Sequence, residues 1–287
     1  MSKIDVLDSH IAYTDVGAGA PVVFLHGNPT SSYMWRNVIP HLSGEMRCLA
    51  PDLIGMGDSG KPDVDYRYDD HMRYLDAWFE ALDLSDIVIV GHDWGAPLGV
   101  DWARRHPDRV RAIALLQPVL RPLTWPELGP VAELFAKFRG PEGERLILQD
   151  NVFIEGTLRS TTPSLTESDM AIYRAPYPDP ESRRPLLAWP RELPIDGEPA
   201  DVVDHVLTNG KWLGTTPEVP KLLLHVDDEP GIAIPPAARA WIVDNVAAVE
   251  LVAVGPGGHH SPEDQPDTIG RALVSWLRDN NFGFTSR

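Results

Sequence analysis

Four β-branched apolar residues, Ile87-Val88-Ile89-Val90, run into Gly91-His92-Asp93-Trp94-Gly95, and a helix-like run follows. A strand made of them has no polar face, so it must be covered on both sides. The two glycines permit a sharp strand-to-helix turn and close packing of the helix behind it. A buried strand feeding a helix in this way is the unit of a mostly parallel α/β sheet.

The rest of the chain repeats that rhythm. Strand-type runs fall at 21–25, 46–50, 112–116, 221–226 and 250–254, and His10–Val16 reads as an antiparallel edge strand. Amphipathic runs lie between them. Met72, Leu75, Phe79 and Leu82 share one helical face, and so do Ile269, Leu273, Trp276 and Leu277. The rhythm breaks over 118–199, a proline-rich stretch of helix-like pieces without a clear β-run. The expected architecture is a doubly wound α/β core formed by 1–117 and 200–287, with a helical cap, 118–199, inserted after the sixth strand.

In an open α/β sheet, ligands bind beyond the carboxyl ends of the strands. The residues directly after the strand runs are His26-Gly27-Asn28-Pro29, His92-Asp93-Trp94, Gln117-Pro118, Asp227-Asp228-Glu229 and Gly255–His260. Hydrolases with such a strand–turn–helix usually carry Ser at its tip, followed along the chain by an acid and a His. Here the order holds, but the tip residue is Asp93. A carboxylate is ionised near neutral pH and needs no base to make it nucleophilic.

The segments HGNPTSSYMWRN, GHDWGAPLGVDWARRHPDRV, LQDNVF and RRPLLAWPRELPI together resemble the haloalkane dehalogenases, from about Ile11 to Leu277. The resemblance implies an α/β-hydrolase fold and cleavage of carbon–halogen bonds to alcohol, halide and a proton. Asp93 would form an alkyl ester, and water activated by His259 would hydrolyse it. Asn28 and Trp94 would bind the departing halide through their side chains, and their backbone N–H groups would form the oxyanion hole. Pro194 matches a pocket proline. No cofactor or metal is implied. The partners are a small halogenated hydrocarbon, water and halide ion, acting in detoxification.

Two positions depart from that pattern. The subfamily most resembled has a Glu after the run 112–116, where this chain has Gln117, which cannot ionise. Other members carry an Asp after the next strand, and there Asp228 fits first and Asp227 second. The histidine is also doubled, and spacing to Glu263-Asp264 favours His259 over His260. Epoxide hydrolysis, which uses the same Asp–His–acid machinery, is an alternative. It needs cap tyrosines, and Tyr173 and Tyr177 lie in the cap, but in a family-like context, and Asn28 and Trp94 fit halide better. A coelenterazine-luciferase-like oxygenase and a catalytically silent binding member are the others.

Several bland readings also hold. Gly55–Lys61 fits G-x-x-x-x-G-K, but Pro62 follows where a magnesium-binding hydroxyl belongs, so a loop is expected. His26 and His92 are expected to hold their loops by backbone hydrogen bonds. Among cap residues Trp125, Phe135, Phe138, Ile147, Phe153 and Trp189, some should line an apolar pocket. A formal net charge of -17 argues against nucleic acid, and no run approaches membrane-span length. The start shows no apolar secretory core, and Cys48 is the only cysteine. A cytoplasmic monomer or weak homodimer is expected.

Overall fold

The computed structural model describes residues 1–227 and 236–282. They form one eight-stranded sheet: β1 (Ser2–Val6), β2 (Ser9–Val16), β3 (Pro21–Leu25), β4 (Arg47–Pro51), β5 (Ile87–His92), β6 (Val110–Leu116), β7 (Lys221–His225) and β8 (Val249–Ala253). The order across the sheet is β1-β2-β4-β3-β5-β6-β7-β8. From β4 through β8 every pairing is parallel, while β1–β2 and β2–β4 are antiparallel. This is the α/β-hydrolase fold expected from the sequence.

Burial follows position in the sheet. All six residues of β5 are buried, as its unbroken apolar run requires. β8 lies at the outer edge, and its Leu251 is 40% exposed. One expectation is corrected at the other edge. The run His10–Val16 is antiparallel, but β2 pairs on both sides and β1 is the edge strand. The sequence SKIDV is too polar to read as a strand, because an edge strand needs little apolar surface.

The helix Tyr68–Ala81 buries Met72, Leu75 and Phe79, and the helix Pro266–Asp279 buries Ile269, Leu273, Trp276 and Leu277. Between β6 and β7 the chain is helical apart from isolated bridges at Leu123–Ile195 and Ile195–Glu198. Two pieces there, Glu144–Gln149 and Phe153–Leu158, are π-helical and flank Asn151, which has φ +52°. Lower down, the helix Ala200–Thr215 packs on the helix Gly95–Arg105 behind β5.

The loop 55–61 wraps a protein carboxylate. Asp52 accepts the N–H groups of Ser32 (2.7 Å) and Asp58 (2.8 Å), and Lys61 donates to the Gly55 carbonyl. The stretch is a loop closed by contacts within the core, as expected.

Candidate active site

Parallel register puts the carboxyl ends of β3, β5, β6, β7 and β8 along one rim. Asn28, Asp93, Gln117, Asp227 and His259 follow those ends and all line one cavity of about 530 Å³. The volume is within the range of small-molecule pockets. Leu128, Leu134, Phe135, Phe153, Trp189 and Ile242 contribute much of its apolar wall.

Asp93 sits at the tip of the β5 turn with φ +51°, a conformation Asp tolerates better than most side chains. The turn is tied down on both sides. Asp93 N–H donates to Leu116 O (3.1 Å), and its carbonyl accepts from Ala96 N–H (3.1 Å). Close approach to β3 requires glycine twice. A Cβ on Gly95 would collide with the Leu25 carbonyl, and one on Gly27 would collide with the Asp93 carboxylate. The space saved at Gly27 lets Asn28 N–H reach Asp93 Oδ2 at 2.8 Å.

His259 Nε2 stands 3.5 Å from Asp93 Oδ1, and both side chains are largely buried. Burial pushes the Asp93 carboxyl up. His259, His92 and the Asn28 N–H more than offset that, leaving it below its ordinary value. The backbone of His259 is held from the β5 side, where His92 Nε2 donates to its carbonyl at 2.7 Å. Burial drives His92 down to about 3, so it remains a neutral donor. His26 acts similarly, with Nδ1 on Gly27 O (2.9 Å) and Nε2 accepting Leu53 N–H (2.9 Å). Both histidines hold loops, as the sequence suggests.

His260 points elsewhere. Its Nδ1 meets Thr162 Oγ1 at 3.1 Å, and burial holds the ring well below the usual histidine range. Of the adjacent pair, only His259 is the one facing Asp93. No group of three or more His, Cys, Asp or Glu suited to a metal occurs among the described residues.

Trp94 is 3% exposed and stacks on Trp189, with centroids 4.6 Å apart at 21°. Asn28 is buried beside it along the same wall. Its Nδ2 reaches Leu186 O only at 3.5 Å, and its Oδ1 has no partner. The Trp94 indole and the Asn28 amide are uncharged side-chain donors on residues that line the cavity together with Asp93.

The candidate acids follow β6 and β7. Gln117 is 4% exposed, has φ +48° and lines the cavity. Asp227 is exposed, and its N–H donates to Gly255 O at 3.0 Å. Asp228 lies outside the described residues.

Two expectations need correction, and a third, that some of the named cap residues line the cavity, holds. Pro194 is buried but is not among the cavity-lining residues; Pro190 and Leu193 are, and the Pro194 carbonyl instead accepts Leu123 N–H at 2.8 Å. Tyr173 and Tyr177 are buried away from the cavity wall, with the Tyr173 hydroxyl on Glu263. Of the named cap residues, Phe135, Phe153 and Trp189 reach the cavity, while Trp125, Phe138 and Ile147 pack elsewhere. Helical spacing gave apolar faces but not which face meets the cavity. The grip of Tyr173 on Glu263 joins positions far apart in sequence, and its one local signal was the Glu-Asp-x-Pro run after the histidines.

The chain is similar to known proteins along most of its length. The family described as the α/β-hydrolase fold matches residues 20–167. A haloalkane dehalogenase of Mesorhizobium japonicum is 46% identical, over 96% of this chain and 90% of its own. One from Sphingobium indicum is 45% identical, over 96% and 94%. Among solved structures, a putative ancestral haloalkane dehalogenase superposes with a TM-score of 0.92 at 44% identity, covering 98% and 99% of the two chains. The haloalkane dehalogenase DatA of Agrobacterium tumefaciens gives a TM-score of 0.92 at 43% identity, covering 97% and 96%.

Proposed function

Because this chain belongs to the haloalkane dehalogenase family, its reaction is the hydrolysis of carbon–halogen bonds, and we propose that Asp93 makes the first bond of that reaction. One observation carries the assignment. A carboxylate, held below its ordinary pKa, occupies the strained tip of the turn with His259 Nε2 3.5 Å away.

An oxygen of Asp93 attacks the halogen-bearing carbon from the side opposite the halide. The carbon–oxygen bond forms as the carbon–halogen bond breaks, and the halide leaves with the electron pair. Charge grows on the halide, and the Trp94 indole N–H and the Asn28 amide stabilise it there. The product of this step is an alkyl ester of Asp93. His259 then takes a proton from water, and the hydroxide adds to the ester carbonyl. The Asn28 and Trp94 backbone N–H groups stabilise the oxyanion. The ester C–O bond breaks as the His259 imidazolium returns its proton to the leaving alkoxide, the alcohol departs, and Asp93 releases the remaining proton to solvent and returns to the carboxylate. The apolar wall selects a small halogenated hydrocarbon and excludes bulk water from the ester.

An acid must orient His259 and balance its charge during the second step. We assign this to Asp228, with Asp227 second, since Gln117 cannot ionise. We divide the chain at 118–199 for the cap, with 1–117 and 200–287 as the core. No helix among the described residues is long and apolar enough to cross a membrane. A chain with one buried cysteine suits a reducing compartment, and we place it in the cytoplasm as a monomer or weak homodimer. Cell fractionation and sedimentation test both.

The central test is a single turnover of 1-bromobutane in ¹⁸O-labelled water. The first alcohol released should be unlabelled, and the label should appear in the Asp93 carboxylate. Labelled alcohol in that first turnover would mean that water attacks the substrate carbon directly. The epoxide reading loses support with Tyr173 and Tyr177 outside the cavity wall. Turnover of 1,2-epoxybutane, or light from coelenterazine, would restore a rival. Halide release limited to one equivalent, with an alkyl adduct on the protein, would mean that Asp93 attacks but hydrolysis stalls. Halide binding with no alcohol released would favour the silent binding member.

A further inference from the structure

His259 does not stand on the core alone. It lies on a loop whose far side is gripped by cap residues 161–173. Gly258 N–H donates to Asp264 Oδ2 (2.9 Å), and Ser164 Oγ donates to Asp264 Oδ1 (2.8 Å). The next residue, His260, meets Thr162 Oγ1. One turn further on, Glu263 is 7% exposed and accepts from Arg36 Nη1 (2.6 Å) and from the Tyr173 hydroxyl. Arg36 also donates to Asp169 Oδ1 (2.9 Å), and Tyr33 caps the same oxygen (2.9 Å). The Tyr33 and Tyr173 rings meet edge to face at 5.5 Å. A loop of the core, the cap helix Glu167–Arg174 and the histidine loop therefore converge on one buried carboxylate.

None of these contacts reaches Asp93 or Trp94, and only the His260 ring also meets the backbone of Asn28. We propose that Glu263, bridging Arg36 of the core and Tyr173 of the cap, is a positioning residue for His259, so that docking of the cap governs ester hydrolysis without governing alkylation. A buried carboxylate with two donors fixes its neighbours more strictly than neutral bonds do. Misplacing a general base by about an ångström costs up to about 10²-fold in rate. The inference rests on the assignment of Asp93 and His259 above.

The test compares Glu263→Gln, Tyr173→Phe and Ser164→Ala with wild type and His259→Ala, using 1-bromobutane in rapid-quench single turnovers. The halide burst reads alkylation, and intact mass reads the ester. Glu263→Gln should slow ester loss about tenfold or more, leave the burst within about twofold, and accumulate the butyl adduct. Tyr173→Phe and Ser164→Ala should do the same more weakly, and they carry the test if Glu263→Gln fails to fold. Equal losses in both steps mean a merely structural role and overturn the proposal; so does no change in either. If His259→Ala shows no adduct, the parent assignment has failed instead.

Discussion

The nucleophile and the histidine are held by different parts of the molecule. Asp93 is fixed by β5, by Leu116 and Ala96 of adjoining backbone, and by the Gly27–Asn28 corner of β3, all buried core. His259 follows the exposed edge strand β8 on a loop held by His92 on one side and by cap side chains on the other. The rigid region carries the step that needs strict geometry at saturated carbon. On the mechanism proposed above, the second region carries a proton transfer, and its histidine loop is held partly by cap side chains. The contrast predicts that the two half-reactions are separable by mutation.

The strongest way to break the contrast is at Asp93. Asp93→Asn keeps a residue tolerant of φ +51°, so the turn should survive. It removes the nucleophile, and halide release from 1-bromobutane should fall about 10⁴-fold or more with no burst. Intact mass checks that the amide persists. In the wild type, the lowered pKa of Asp93 has a sign that can be read. The carboxylate remains charged as pH falls below the usual range, so the burst should persist to about pH 5. A burst that titrates away above that pH would show that the contacts of Asp93 do not offset its burial.

A smaller effect is expected at Trp94. Trp94→Phe keeps an aromatic ring against Trp189 and removes only the indole N–H. One lost donor to developing charge costs about 10²-fold. The loss should fall on the burst rate and leave ester hydrolysis nearly unchanged, the mirror image of Glu263→Gln. Equal slowing of the two steps would blur the division between the regions.

The same division explains what the sequence reveals. Asn28, Asp93 and His259 were legible because each follows a strand run, and parallel register brings strand ends to one rim. The cap was legible only as helical. Of the segment Phe153–Leu158 the cavity takes Phe153 and Thr157, while Ile154 and Leu158 are buried elsewhere, a choice between apolar faces that the sequence pattern does not make. Tyr173 could be seen as a cap tyrosine, but not as a partner of Glu263, because ninety positions separate them. β1 escaped notice since pairing, not burial, makes it a strand.

The smallest expected effect lies beneath the nucleophile turn and asks how rigid that region is. Asp101, 1% exposed on the helix that follows Asp93, accepts from His205 Nδ1 at 2.8 Å and from Arg104 and Arg105. His205 Nε2 meets Asp69 at 2.9 Å, so one imidazole ties the helices Ala200–Thr215, Gly95–Arg105 and Tyr68–Ala81. The hydrogen bond to Asp101 raises the His205 pKa against its partial burial. A raised pKa stabilises the fold fully below the unfolded value near 6.5, and the gain is lost as pH climbs through the folded value. His205→Gln should therefore cost about 1–2 kcal/mol at pH 6 in urea unfolding, with both arginines still neutralising Asp101. The difference from wild type should shrink as pH rises past neutrality. Because the helix behind Asp93 is pinned independently by β5 packing, the halide burst should stay within about twofold. A burst that slows along with the loss of stability would mean that the core side of the site depends on side-chain ties as much as the cap side does.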